Sequence, residues 1–318
     1  FSPYAGDWSI PTTGQRAKWN VLSDGQPGEY LTDRLTDEAV KFIRANRERP
    51  FFLYFPHYGV HTPLQAKPEV VAKYEKIPEA QQQGKPVYAA MVESIDDSVG
   101  EVLDYLDRTG LAKNTVVIYS SDNGWYLGDL GLYDKRFMYE PGFHIPLLAR
   151  GPGIKPGAVT DLFALNADFA PTFLDLAGVK IPADMHGRSL APILRGEKPT
   201  GWRDSVYYRY YHDPGHHNTR AHYGVRTATH KLIHYWKTDA WELFDLVKDP
   251  TEQKNLVTDP TQAPTIAKLK TEIVRLQKEL GDTGQFANEI PRDGVDAPNN
   301  APKLGVKSVP EAIAAAKP

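Results

Sequence analysis

The sequence predicts an α/β layered domain with a mainly parallel, mixed sheet sandwiched by helices, followed by a small antiparallel sheet carrying one packed helix. Three observations support this. Short apolar runs of strand length, Phe51–Phe55, Thr115–Tyr119 and Pro146–Ala149, alternate with helical stripes up to about residue 200. The composition then shifts to aromatic, turn-punctuated runs at Val206–Tyr211, Tyr223–Thr227, Lys231–Trp236 and Trp241–Leu246, the pattern of a meander. Finally, Leu269, Ile273, Leu276 and Leu280 fall on one face of a helix. The expected division is residues 1–200 as α/β domain, 201–280 as a small α+β subdomain and 281–318 as an extended tail.

Residues 1–30 lack periodicity and read as loops. Leu31, Leu35, Ala39, Phe42 and Ile43 share a helical face, with Asp37 and Glu38 near the start and Pro50 as the stop. The unbroken apolar run Phe51–Phe55 reads as a strand covered on both faces. Residues 64–86, polar and rich in Gln and Lys, read as a lid or surface loop. Tyr88, Met91, Ile95, Val99, Val102 and Leu106 form a long helical stripe closed by Gly110. The neighbours Asp96 and Asp97 point different ways on that helix, so they read as solvated surface and not as an acid–base pair. A further helix is expected over Asn166–Ala177, with Phe169, Phe173 and Leu176 inward.

Composition narrows the function classes. With 41% hydrophobic residues, 24% charged residues and a net charge of −3, the 318-residue chain can build a core and gives no electrostatic reason to bind nucleic acid. No apolar run approaches the ~20 residues that span a bilayer. The absence of cysteine excludes disulfides, thiolate metal sites and a Cys nucleophile from these residues. Phe1-Ser2-Pro3 has neither the basic nor the apolar region of a signal peptide, and a start without Met suggests a processed, trimmed or partial chain.

The chemistry concentrates between Asn114 and Pro146. The strand Thr115–Tyr119 runs into Asp122-Asn123-Gly124, and ligands in open α/β sheets sit beyond such carboxyl ends. Asp122 offers a carboxylate oxygen and Asn123 a neutral carbonyl oxygen, the donors that Ca2+ or Mg2+ takes. The plain alternative is a turn, since Asx-Gly pairs favour turns for conformational reasons. Downstream, Lys135 can bring fixed positive charge to the same place. His61, in His61-Thr62-Pro63, follows another expected strand end, whereas His57 reads as structural. His212 and His216 stand i, i+4 like zinc ligands on a helix, but Pro214 and Gly215 break that helix.

Ser121-Asp122-Asn123-Gly124, Lys135, Tyr139-Glu140, Gly142 and Pro146 together resemble the sulfatase family of the alkaline-phosphatase-like superfamily. The likeness runs from about residue 28 to 280 and is similar to carbohydrate sulfatases of the N-acetylglucosamine-6-sulfatase type. It implies an alkaline-phosphatase-like sulfatase fold, with residues 1–200 forming the C-terminal part of the catalytic domain. It implies Asp122 and Asn123 as ligands of Ca2+, with Mg2+ the alternative, and Lys135 and His61 as catalytic donors to sulfate oxygens. Asp134, Arg136, His144, His222 and Arg226 become candidate sugar contacts; many relatives carry Arg where this chain has His144. The family's Cys-x-Pro-Ser-Arg motif, source of its formylglycine nucleophile, is absent here, as are its early Asp pair and Lys-x-His. The expectation is therefore a formylglycine on an N-terminal segment that partners these residues, a sulfated carbohydrate substrate, and a periplasmic or secreted location. The alternatives are an arylsulfatase or phosphoester hydrolase of the same superfamily, a catalytically incomplete sugar-binding homologue, and a structural subunit.

Overall fold

The computed structural model describes residues 9–12, 15–18, 25–78 and 86–287. The expected tail beyond residue 287 lies outside the described residues, as does the 79–85 part of the expected lid. The chain divides into two compact units, one up to Val117 and one from Ile118 onward.

In the first unit, β1 (Ser9–Thr12) and β2 (Gln15–Lys18) form an antiparallel hairpin where only loops were expected. Helix α1 (Leu31–Asn46) buries Leu31, Thr36, Ala39 and Ile43, while Phe42 stays largely exposed at the margin of the apolar face. Helix α2 (Pro68–Tyr74) starts on a proline suited to a first turn. Its Val70, Val71 and Tyr74 pack, with Val87 of α3 (Pro86–Arg108), around buried Ala66, Ala90 and Met91. Residues 64–78 therefore form no free lid; three apolar side chains within seven residues suffice to dock them. The expected strand Phe51–Phe55 is also corrected. The segment is extended but has no ladder partner among the described residues, and Phe52 and Tyr54 are 63% and 75% exposed. An apolar run supplies the faces of a strand, but a hydrogen-bonding neighbour must supply the rest.

The second unit is built from β3 (Val117–Ser120), the short hairpin β4 (Tyr126–Leu127) and β5 (Tyr133–Asp134), helix α4 (Glu140–Phe143) and β6 (Leu147–Arg150), which pairs with β3. Helix α5 (Phe169–Leu176) buries Pro171 and Thr172, and Leu176, expected inward, is exposed. The anchor is instead polar. Fully buried Asp168, just before α5, takes both guanidinium nitrogens of Arg203 and the backbone N–H groups of Leu165 and Arg188. After α6 (Ala191–Leu194) comes the expected meander of β7 (Ser205–Tyr210), β8 (His222–Thr227), β9 (His230–Tyr235) and β10 (Ala240–Asp245), antiparallel in the order β10-β9-β8-β7.

Side-chain alternation gives this sheet two apolar faces. Val225, Leu232 and Leu243 meet Leu269, Ile273 and Leu276 of α7 (Ala263–Leu280), as the helical stripe predicts. Ile233, Tyr235 and Phe244 meet Tyr126, Phe137, Met138 and Tyr139 on the other side. Each buried Leu or Ile contributes about 1.5–3 kcal/mol, so the stretch that follows Asp122-Asn123 is held by a core of its own. Among the described residues no helix is long and apolar enough to cross a membrane.

Candidate active site

Residues 121–124 leave β3 in a tight turn. The Asn123 N–H donates to Asp122 Oδ1 at 2.9 Å, the Ser121 hydroxyl to the Asn123 carbonyl at 2.7 Å, and Asn123 Nδ2 to the Gly124 carbonyl at 2.6 Å. The turn reading is thus correct as far as it goes. Asn123 Nδ2 is committed to the Gly124 carbonyl, which leaves its Oδ1 as the group's acceptor, next in sequence to the exposed Asp122 carboxylate. Asn166 Nδ2 braces the Asp122 carbonyl at 2.6 Å, two residues from the Asp168 anchor.

Two backbone bonds stitch this turn to the Glu140-Pro141-Gly142 segment: Gly124 N–H to the Gly142 carbonyl at 3.0 Å and Trp125 N–H to the Pro141 carbonyl at 2.9 Å. A Cβ on Gly124 would lie 2.0 Å from the Pro141 oxygen, and one on Gly142 would lie 2.7 Å from the Tyr126 ring. Glycine is required at both by proximity. The buried Tyr126 hydroxyl donates toward the carbonyls of Phe137 and Tyr139, at 2.9 and 3.1 Å, fixing the intervening chain.

On that chain, Asp134 adopts φ +88°, is buried, pairs with the Arg136 guanidinium and lies 3.9 Å from His217 Nε2. Lys135 has no carboxylate within ion-pair distance among the described residues, and its Nζ sits 4.9 Å from the centre of the Trp125 ring. A half-buried ammonium with no carboxylate partner among the described residues suits an anion that brings its own negative charge.

Glu140 turns inward. Its carboxylate takes Arg226 through two bonds of 3.2 Å and Lys231 Nζ at 2.8 Å, and its backbone N–H donates to Glu252 Oε2 at 2.6 Å. Lys231 has zero exposure and also pairs with Glu252 at 2.7 Å. Burial raises the Glu140 pKa, but Arg226 and Lys231 outweigh it and hold the carboxyl below its ordinary range; burial wins at Glu252, which is raised. Glu140 entered the sequence reading only as part of the family motif, and Lys231 and Glu252 were not singled out. The available signal was a lysine at an inward position of a strand, which demands a buried partner.

Two expected sugar contacts are corrected here. His222 has zero exposure; its Nδ1–H donates to the Arg220 carbonyl at 2.7 Å, and its ring stacks on Phe137. Burial lowers its pKa to about 4, so it is a neutral core group. Arg226 is spent on Glu140. The reason is strand parity: residues 222, 224 and 226 face the core that holds Phe137 and Met138. His144 is exposed, with Nδ1 3.8 Å from Glu140 Oε2, and borders an open cavity of about 390 Å3 lined also by Asp129, Leu130, Pro141 and Thr251.

In the first unit, His61 is exposed and its Nδ1 lies 3.0 Å from the Thr62 carbonyl, which makes Nδ1 the protonated nitrogen. His57 is structural as expected: Nε2 bonds Ser98 Oγ at 2.8 Å, and burial lowers its pKa to about 4.

Among the described residues no three His, Cys, Asp or Glu side chains are grouped to hold a metal. Asp122 and Asn123 offer two oxygen donors of the kind Ca2+ or Mg2+ takes, out of the about six or more that such an ion needs.

These features define an α/β protein of the alkaline-phosphatase-like class. BT4656, solved in complex with its substrate D-glucosamine-2-N,6-O-disulfate, superposes with a TM-score of 0.72 at 27% identity over 87% of this chain and 73% of that one. The chain belongs to the sulfatase family, whose model matches residues 4–179; a second model, described as N-sulphoglucosamine sulphohydrolase, C-terminal, matches residues 128–279. Similar curated proteins are the N-acetylglucosamine-6-O-sulfatase of Bacteroides thetaiotaomicron, 42% identical over 61% of this chain and 36% of its own length, and the human N-acetylglucosamine-6-sulfatase, 30% identical over 76% and 53%. The chain thus spans about half, or less, of the length of these relatives.

Proposed function

We propose that the protein containing this chain hydrolyses sulfate esters of carbohydrates, in the periplasm or outside the cell. The supporting observation is the stitched pair of segments that holds the Asp122 and Asn123 oxygens on one scaffold with Lys135, which has no carboxylate partner among the described residues. Relatives named for sulfate removal from N-acetylglucosamine support a sulfated sugar as substrate.

In this reading Asp122 and the Asn123 Oδ1 hold part of the shell of a Ca2+, which when bound supplies Lewis-acid charge for the sulfate oxygens. Lys135 binds a sulfate oxygen as a point charge and offsets the charge that develops on the transferred group. His61, on the first unit, is the further candidate for a ring N–H donor to an oxyanion. Asp134 and Arg136, already paired with each other, offer hydrogen bonds to the sugar at the edge of the site. The nucleophile, a formylglycine, lies on a segment outside these residues.

The test is the full-length protein, co-produced with a formylglycine-generating enzyme and assayed for sulfate release from a panel of sulfated mono- and disaccharides. Release that is lost on Lys135→Ala and on Asp122→Ala is expected. Failure to release sulfate from any member, together with phosphate release from phosphoesters, would move the protein to the phosphoester-hydrolase reading, which the same oxyanion-binding parts also support.

A further inference from the structure

Lys135 carries charge intended for an anion, yet the segment around it is rich in carboxylates: Asp122, Asp129, Asp134 and Glu140 all lie within 13 residues of it in sequence. None pairs with it. Asp134 is taken by Arg136, Glu140 by Arg226 and Lys231, Asp129 Oδ2 by the Leu127 N–H, and Asp122 Oδ1 by the Asn123 N–H. What meets the ammonium instead is the face of Trp125, 4.9 Å away. The backbone that carries the indole is held by the Trp125 backbone N–H bonded to the Pro141 carbonyl and the Gly124 N–H bonded to the Gly142 carbonyl.

We propose that Trp125 is a positioning residue for Lys135: it holds the ammonium on its ring face by a cation–π contact, in place of a carboxylate, so that no ion pair has to break when sulfate binds. The proposal rests on the reading of Lys135 as the sulfate clamp. A carboxylate partner would compete with the substrate for the same charge and leave its own negative charge beside the bound anion. A ring face orients the cation without neutralising it, and the three N–H donors stay available to oxygen. Trp125 also follows Asn123 by two residues, so one short turn fixes both the metal-facing oxygens and the seat of the clamp.

The experiment uses the full-length protein with its lysines reductively methylated with 13C, a modification that keeps the charge and one N–H donor, while sulfate affinities are compared on the unmodified proteins. The Lys135 resonance, assigned with Lys135→Arg, is expected upfield through the indole ring current and should shift on titration with inorganic sulfate. In Trp125→Leu the upfield shift should vanish and sulfate should bind about five- to tenfold more weakly, the range of an exposed to partly desolvated cation–π contact. The same variant should raise KM more than it lowers kcat. Trp125→Phe, which keeps a π-face, should restore most of both, whereas a role in packing alone would leave Phe and Leu alike. Should Trp125→Leu fail to fold, the wild-type resonance and the Phe variant decide. A wild-type Lys135 resonance at the ordinary lysine position, or equal sulfate affinity in wild type and Leu variant, overturns the proposal. If wild type neither responds to sulfate nor releases it from sulfated sugars, the clamp reading itself falls.

Discussion

The Gly124 N–H donates to the Gly142 carbonyl at 3.0 Å, and neither residue has room for a Cβ. This contact brings the turn with Asp122 and Asn123 into register with the segment that follows Lys135. Gly124→Ala would place a methyl group 2.0 Å from the Pro141 oxygen. Forced overpacking of this kind costs about 1–3 kcal/mol. The expected outcome is a lower denaturation midpoint together with loss of most sulfate release, read by urea unfolding and by ion chromatography. Wild-type behaviour in both would mean that the two segments are not coupled.

Asn166→Ala removes the brace on the Asp122 carbonyl while leaving every oxygen that could touch metal. Outer-shell losses typically reduce metal affinity about 10- to 100-fold. Calcium titration of the full-length protein should show a reduction at the lower end of that range, with global stability little changed because Asn166 is exposed. Unaltered affinity would leave the Asp122 turn supported by the Gly124–Gly142 contact alone.

Glu140→Gln leaves buried Lys231 with Glu252 as its one carboxylate and deprives Arg226 of its partner. Breaking a buried ion pair by removing one member costs about 3–5 kcal/mol. Because the folded-state pKa of Glu140 is lowered, its contribution is fully present above the ordinary carboxylate pKa and is lost as pH falls through the lowered folded value. Chemical denaturation of the variant near neutral pH should show the deficit, and a loss below about 1 kcal/mol would exclude the network as a stabilising element.

His222 adds a pH dependence of the same sign in a higher pH window. Its pKa falls from 6.5 to about 4 by burial, with the Arg220 carbonyl working the other way. Between those values the unfolded chain binds a proton that the folded chain does not, so stability declines as pH drops, by up to about 1.4 kcal/mol per pH unit. His222→Phe preserves the stack on Phe137 and should flatten this part of the urea-midpoint curve by the share of one group. A slope identical to wild type would show that His222 protonates without unfolding.

Periodicity made α1, α3, α7 and the four-stranded meander legible, because each buries one face of a regular element. It failed where a neighbour decides the outcome. Phe51–Phe55 has the composition of a strand but no ladder partner among the described residues, and Leu176, expected inward, is exposed at the end of its helix. At the site, motif spacing singled out Asp122, Asn123 and Lys135. It could not show that His222 and Arg226 point into the core, which follows from strand parity fixed by pairing with β7 and β9. Nor could it show Glu140, Lys231 and Glu252 meeting across more than a hundred residues of chain.

That last meeting bears on how such a protein can be recombined. Glu140 follows the segment that carries Lys135, yet its partners reside on β8, on β9 and in the loop after β10. The small sheet is therefore no detachable module, although the composition changes near residue 200. A chimera spliced there from two relatives inherits Glu140 from one parent and Arg226, Lys231 and Glu252 from the other. Crossovers that move Glu140, Arg226, Lys231 and Glu252 as one unit keep the cluster neutralised; those that separate them ask a foreign sheet to complete it.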